Sequence, residues 1–129
     1  MEILIKTLNI EIWGRKFSLN VVYDCYAGEK ITSDQIEAVE RLNANMSWLN
    51  KAKDAVVKYC KTEVNSDDEN QKKDNIFSYI KPEAVFVKRD TLKLRIALMC
   101  KYRYDPEHGL AIVFDRNGNI TIGPQDIIL

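Results

Sequence analysis

The order of apolar and polar positions divides the chain into three blocks. In the first, Phe17, Leu19, Val21, Tyr23 and Cys25 fall on one side while Ser18, Asn20 and Asp24 fall on the other. That period of two marks a half-buried strand. Gly14-Arg15-Lys16, between Trp13 and Phe17, supplies a tight turn, so residues 2–26 read as an N-terminal hairpin. In the second block, residues 32–62, the period changes. Ile36, Val39, Leu42, Met46, Leu49, Ala52, Val56 and Tyr59 recur at steps of three or four behind a cap at Thr32 or Ser33. One straight helix of that length would run to roughly 45 Å, against roughly 36 Å for the width of a domain of this size. Asn43-Ala44-Asn45 contains poor helix formers, which predicts two consecutive helices or one helix kinked near Asn45.

Residues 63–75 are polar, aperiodic and rich in turn formers, and are expected to form a mobile loop. Asp67-Asp68-Glu69 within it lacks both the spacing and the glycine of a calcium loop. The last block, 83–129, alternates again. Leu92, Leu94, Ile96, Leu98, Cys100, Tyr102 and Tyr104 oppose Lys93, Arg95, Ala97, Met99, Lys101 and Arg103, which predicts one long strand over 92–104. Residues 110–114 follow as a strand, and Asn117-Gly118 is the signal of a type I′ hairpin into 120–122, a strand that Gly123-Pro124 ends. Residues 76–80, ahead of Pro82, suit a helical turn. The expected fold is α+β: an antiparallel β-sheet, made of an N-terminal hairpin and a C-terminal meander, packed against two consecutive helices or one kinked helix.

With 129 residues the chain suits a single domain over 1–129, and with Met1 at its start it reads as a whole protein. Lysine plus arginine equals aspartate plus glutamate, 19 of each, so no bulk charge draws it to nucleic acid or to an anionic membrane. The opening residues lack a basic segment followed by a long apolar one, and no run approaches the ~18 apolar residues of a membrane span. Cys25, Cys60 and Cys100 are odd in number and widely spaced, which fits reduced, packed thiols and not a disulfide framework or a zinc site. The expected setting is the cytoplasm, where the sequon Asn45-Met46-Ser47 carries no glycan. The glycines stand singly, so no phosphate loop is formed, and no cofactor is expected.

Two features carry candidate chemistry. Lys93, Arg95, Lys101 and Arg103 share a strand face, but Tyr102 and Tyr104 point away from it and Ala97 and Met99 interrupt it. Without aromatics for stacking among the cations, a solvated charged face is expected, with the Ala97–Met99 gap as a patch for a partner. The second feature is Tyr102-Arg103-Tyr104-Asp105-Pro106-Glu107-His108-Gly109-Leu110, which holds the single histidine. Pro106 and Gly109 suit a turn, and Asp105 can accept its N–H groups. Asp105, Glu107 and His108 are the candidate site residues. As a metal site they fall short of the usual number of histidines or cysteines. As an acid/base pair, Glu107 would orient and charge His108, with Ser18, Ser78 or Cys25 as the open choices of nucleophile. As a structural turn, His108 would bond a backbone carbonyl and Glu107 would tie the turn down or pair with an arginine. The structural turn is favoured.

Residues 97–114, then Gly118 and the closing residues 122–129, resemble a family of small, functionally uncharacterised bacterial domains. These carry an aromatic–Asp–x–Glu–His–Gly–apolar signature before a strand and a Gly-x-x-Asp near the end. The resemblance covers the last third of the chain; family members often have tryptophan where Tyr104 stands. It implies that Asp105, Glu107, His108 and Gly109 form one motif, and some relatives resemble immunity or accessory proteins of toxin systems. With no cofactor loop, nucleophile signature or multidentate ligand set in the sequence, the expected function is non-catalytic binding of another protein through the sheet's polar face or the 63–75 loop, with no nucleic acid and no membrane as partner. A small hydrolase or metal-dependent enzyme using Glu107 and His108 is the alternative. Oligomeric state is not legible.

Overall fold

The computed structural model describes residues 6–25, 28–63, 73–89 and 93–129. The acidic cluster 67–69, and most of the loop expected over 63–75, lie outside the described residues. The chain opens with a hairpin of β1 (Thr7–Ile12) and β2 (Arg15–Tyr23). Ile12 pairs with Arg15, so the turn is Trp13-Gly14, one residue earlier than the sequence suggests. Both turn residues have positive φ, 50° and 88°, as a type I′ turn requires. That conformation is costly for a bulky side chain. Trp13 is held in it by packing on Phe77, ring centres 5.8 Å apart, and by its indole N–H donating to the Leu49 carbonyl at 2.7 Å.

Two helices follow, α1 (Ser33–Ala44) and α2 (Ser47–Glu63), with the break at Asn45 that the poor helix formers predict. Asn45 closes α1 through its amide, whose Nδ2 donates to the Arg41 carbonyl at 2.7 Å. Thr32 caps α1, and here the structure departs from the apolar stripe. Gln35 is the buried residue of the first turn, 1% exposed, whereas Ile36 is only half-buried. The cause is the capping box that Thr32 forms with Gln35. Gln35 N–H donates to Thr32 Oγ1 at 3.1 Å, and Gln35 Oε1 accepts from the Thr32 N–H at 3.0 Å. Turned inward, the amide Nε2 donates to the carbonyls of Asp24 (3.0 Å) and Val87 (3.2 Å).

Those carbonyls mark the ends of two neighbouring strands. A 3₁₀ turn at Lys73–Ser78 leads into β3 (Ile80–Val87), which lies parallel to β2 with Tyr23 opposite Val87. The sheet is therefore mostly antiparallel and not wholly so. Because α1 and α2 lie between β2 and β3, the chain has the length a parallel crossover needs. The helical turn expected over 76–80 lies earlier, at Lys73–Ser78, and Ile80 already belongs to the sheet. Pro82 is tolerated because the β3 register shifts between Pro82 and Ala84, leaving the ladder irregular at that point.

β4 (Ile96–Tyr102), β5 (Leu110–Phe114) and β6 (Ile120–Gly123) complete a six-stranded sheet in the order β1-β2-β3-β4-β5-β6, each later pair antiparallel. The long strand read over 92–104 is cut at both ends. Leu94 takes a left-handed φ of 48°, which breaks the alternation, and the chain turns after Tyr102. The β5–β6 turn is also not type I′. Gly118 has positive φ (81°) but Asn117 does not, and the Gly118 N–H bonds the Asp115 carbonyl at 3.0 Å, as in a three-residue loop closed by a left-handed glycine. Asp115 organises it, its carboxylate accepting from the N–H groups of Asn117 (2.8 Å) and Asn119 (3.0 Å). Burial acts to raise the Asp115 pKa, but the hydrogen bonds from Asn119, Asn117 and Gly118 prevail and hold it below the ordinary value. A Cβ on Gly118 would lie 2.5 Å from the Trp48 ring, so the turn docks against the start of α2.

One buried cluster joins strand residues such as Ile12, Leu19, Val85, Leu98 and Ile112 with Val39, Leu42, Leu49 and Val56 of the helices. Each such side chain contributes about 1.5–3 kcal/mol on burial. A smaller cluster, Ala97, Ala111, Val113 and Ile128, lies apart from it. Ala97 and Val113, neighbours across β4 and β5, are thereby buried, and β5 is buried at all its positions. Replacing Gln35 with alanine takes the side-chain partner from the Asp24 carbonyl and from the Thr32 N–H, and leaves the Val87 carbonyl with only the Asp24 N–H, at 2.9 Å. Chemical denaturation is expected to show a loss of about 1–3 kcal/mol, the range for unsatisfied buried polar groups.

Candidate functional site

The Asp105–Gly109 turn leaves β4 at Tyr102 and enters β5 at Leu110. The Asp105 N–H donates to the Tyr102 carbonyl at 3.2 Å, and the Gly109 N–H donates to the Asp105 carbonyl at 2.8 Å. The Asp105 carboxylate holds His108 twice. It accepts the His108 backbone N–H at 3.3 Å, and its two oxygens lie 3.0 and 3.2 Å from the ring Nδ1. The residue orienting the imidazole is thus Asp105 and not Glu107. Among the described residues Glu107 makes no hydrogen bond or ion pair, and both it and His108 are exposed.

Gly109 lets a second segment into the turn. Its φ is +64°, and a Cβ there would lie 2.7 Å from Gln125 Nε2 and 2.8 Å from the Cys100 carbonyl oxygen. Gln125 belongs to a 3₁₀ turn, Gln125–Ile127, that follows β6. Its Nε2 donates to that Cys100 carbonyl at 3.0 Å, and its backbone N–H donates to the His108 carbonyl at 3.0 Å. Gly123 and Asp126 flank it, so the turn motif and the Gly-x-x-Asp motif meet in space through Gln125. Periodicity gives no sign of this residue; the second motif's position beside Gln125 was the one available pointer.

The electrostatics follow from the same contacts. His108 is raised above its ordinary pKa, first by the hydrogen bond to Asp105 and then by the Asp105 charge, with Glu107 and Asp126 adding to it. An imidazole whose Nδ1 meets a carboxylate is the arrangement of a hydrolytic triad, which also needs a nucleophile at Nε2. Among the described residues nothing bonds Nε2. Cys25 lies at the opposite end of the sheet, beyond Tyr23 and Val87, roughly 20 Å away along strands of this length. Ser18 lines a separate groove beside Asn9 and Phe17. Cys100 is fully buried, and burial pushes its thiol far up. Nor does any group of three His, Cys, Asp or Glu side chains gather to hold a metal ion among the described residues.

Beside the turn lies an open groove of about 570 Å³, with Pro106 and Ser78 on its border. Phe77, Tyr79 and Tyr102 form its apolar lining, and Lys81, Lys101 and Arg103 line it as well. Tyr79 is nearly inaccessible, and burial, then Cys60 and Tyr104, push its pKa up to about 12. It stays a neutral phenol at physiological pH. The four cations read as one face from the sequence are instead divided. Lys93 and Arg95 lie before β4, lining a small cavity with Asp115, while Lys101 and Arg103 face the groove.

The two motifs in contact and the extent of the sheet frame the comparison with known families. The chain belongs to the DUF6985 family. That family is described as a domain of unknown function, and its model matches residues 4–129, so the turn and the Gln125 segment both lie inside the family domain. No curated protein and no solved structure matches the chain. No helix among the described residues is long and apolar enough to cross a membrane.

The Asp105–His108 contact predicts a pH response. With a raised folded pKa, the contact contributes fully below the unfolded histidine value and is lost as pH rises through the folded one. An NMR titration of the His108 ring is expected to show a pKa above 6.5, the unperturbed value, and Asp105→Asn to bring it back toward that value.

Proposed function

We propose that this DUF6985 domain is a non-catalytic protein-binding module of the bacterial cytoplasm, serving as an immunity or accessory factor. The observation that carries this reading is the groove: an open surface lined by Phe77, Lys81, Lys101 and Arg103, beside a turn in which Asp105, the His108 Nδ1 and the His108 carbonyl are engaged with one another and with Gln125. Surfaces that bind proteins combine aromatic contact area with charges at the rim. A hydrolase would place its acid/base residue against a nucleophile, and a metal enzyme would converge several ligands on one point. In this domain His108 stands in solvent, and its Nδ1 and its carbonyl are engaged within the turn and by Gln125.

The competing reading, a small hydrolase or metal-dependent enzyme using Glu107 and His108, separates from this one in a single comparison. Wild type and His108→Ala are assayed for ester, phosphoester and peptide hydrolysis, for bound metal and for melting temperature. No turnover and no stoichiometric metal are expected in either protein, with a small drop in melting temperature for the variant. Activity or metal that disappears in His108→Ala at an unchanged melting temperature would overturn the binding reading.

A further inference from the structure

The groove also carries information about what it binds. We propose that it is the docking site for an acidic peptide segment of a partner protein; this rests on the protein-binding reading above. Lys81 and Lys101 are direct partners across β3 and β4. Like charges placed opposite each other on a sheet repel and weaken the pair. Arg103 adds a third cation at the same end, its backbone N–H bonded to the Tyr79 carbonyl at 2.8 Å. One carboxylate answers them: Glu83, at the β3 irregularity, lies 3.6 Å from Lys101 Nζ. Among the described residues Lys81 and Arg103 have no ion-pair partner, and no acidic side chain lines the groove. A local arrangement of three cations in which only Lys101 has a carboxylate partner marks a surface shaped by something outside the chain.

The chemistry of the lining selects the ligand class. Three cations beside the accessible apolar surface of Phe77 and Pro106 suit carboxylates spaced along a chain that also carries apolar side chains. A nucleic acid would need exposed faces for base stacking, but Tyr79 and Tyr102 are 2% and 3% exposed and present little of their rings. Elsewhere the balanced charge of the protein gives no extended basic track.

The test is selection of a displayed random peptide library on the full chain, followed by NMR mapping of the recovered peptides. Wild type is compared with the double variant Lys81→Glu, Arg103→Glu and with a control reversal elsewhere, Lys16→Glu, Lys51→Glu. The expected winners are net acidic, lose affinity as salt rises, and shift the signals of residues 78–81 and 101–106. The groove variant, at a melting temperature no lower than that of wild type, is expected to weaken them by about tenfold or more, and the control variant to leave them within about twofold. Winners that are neutral or basic, or no winners, overturn the proposal, as does a single-stranded oligonucleotide that binds the groove more tightly than any acidic peptide. Winners that map to another surface also overturn it, yet leave the protein-binding reading standing. That broader reading fails separately, through the activity or metal assay of His108→Ala.

Discussion

The close approach of Gln125 to the backbone at Gly109 governs the end of the sheet where the candidate site lies. The Cys100 carbonyl, in the last β4–β5 pair, takes its hydrogen bond from a side chain that reaches it only because position 109 has no Cβ. From that approach follow the left-handed glycine, the bond between Gln125 and the His108 carbonyl, and the position of the chain's last turn. Ile128, just beyond, is then placed in the small apolar cluster with Ala97, Ala111 and Val113. The Asp105–His108 pair belongs to the same assembly. It stabilises the turn that Gln125 enters, beside the groove.

The opposite end of the sheet is secured by the same device. Gln35 delivers its amide to the carbonyls of Asp24 and Val87, where the parallel strands β2 and β3 finish, while its oxygen closes the cap of α1. A glutamine side chain combines two donors with an acceptor, so it can satisfy several backbone groups from one buried position. Each amide supplies partners to carbonyls at a strand end, where regular pairing gives out. Between these two ends the sheet is held by ordinary burial, and both hairpin turns lean on α2: Trp13 through its bond to Leu49, and Gly118 through its fit against Trp48.

Much of this was legible in the residues, for physical reasons that can be named. The period of two at Phe17–Tyr23 and the helix break at Asn45 are local signals, and local signals survive folding. The parallel pairing of β2 with β3 was not legible, because it depends on where a crossover returns the chain. The left-handed Leu94 gave no sign either, since a leucine in an alternating run reads as strand. The capping box of Thr32 and Gln35 stood in the sequence, but a stripe drawn through Ile36 obscured it. In the motif, the aspartate, histidine and glycine were recognisable as a turn. The acid holding the histidine turned out to be Asp105, and the partner filling the glycine's space, Gln125, lies far along the chain.

The locked turn sets one border of a cationic groove in which Lys81 and Lys101 stand opposite each other. The central claim is that Gly109 and Gln125 form one structural lock, and a double-mutant cycle tests it most directly. Gly109→Ala, Gln125→Ala and the double variant are compared by chemical denaturation. The lock predicts strong coupling, about 1 kcal/mol or more, with alanine at 109 costing less once the Gln125 side chain is gone. Additive losses, agreeing within about 0.5 kcal/mol, would contradict it and return the His108 turn to consideration as an independent functional site.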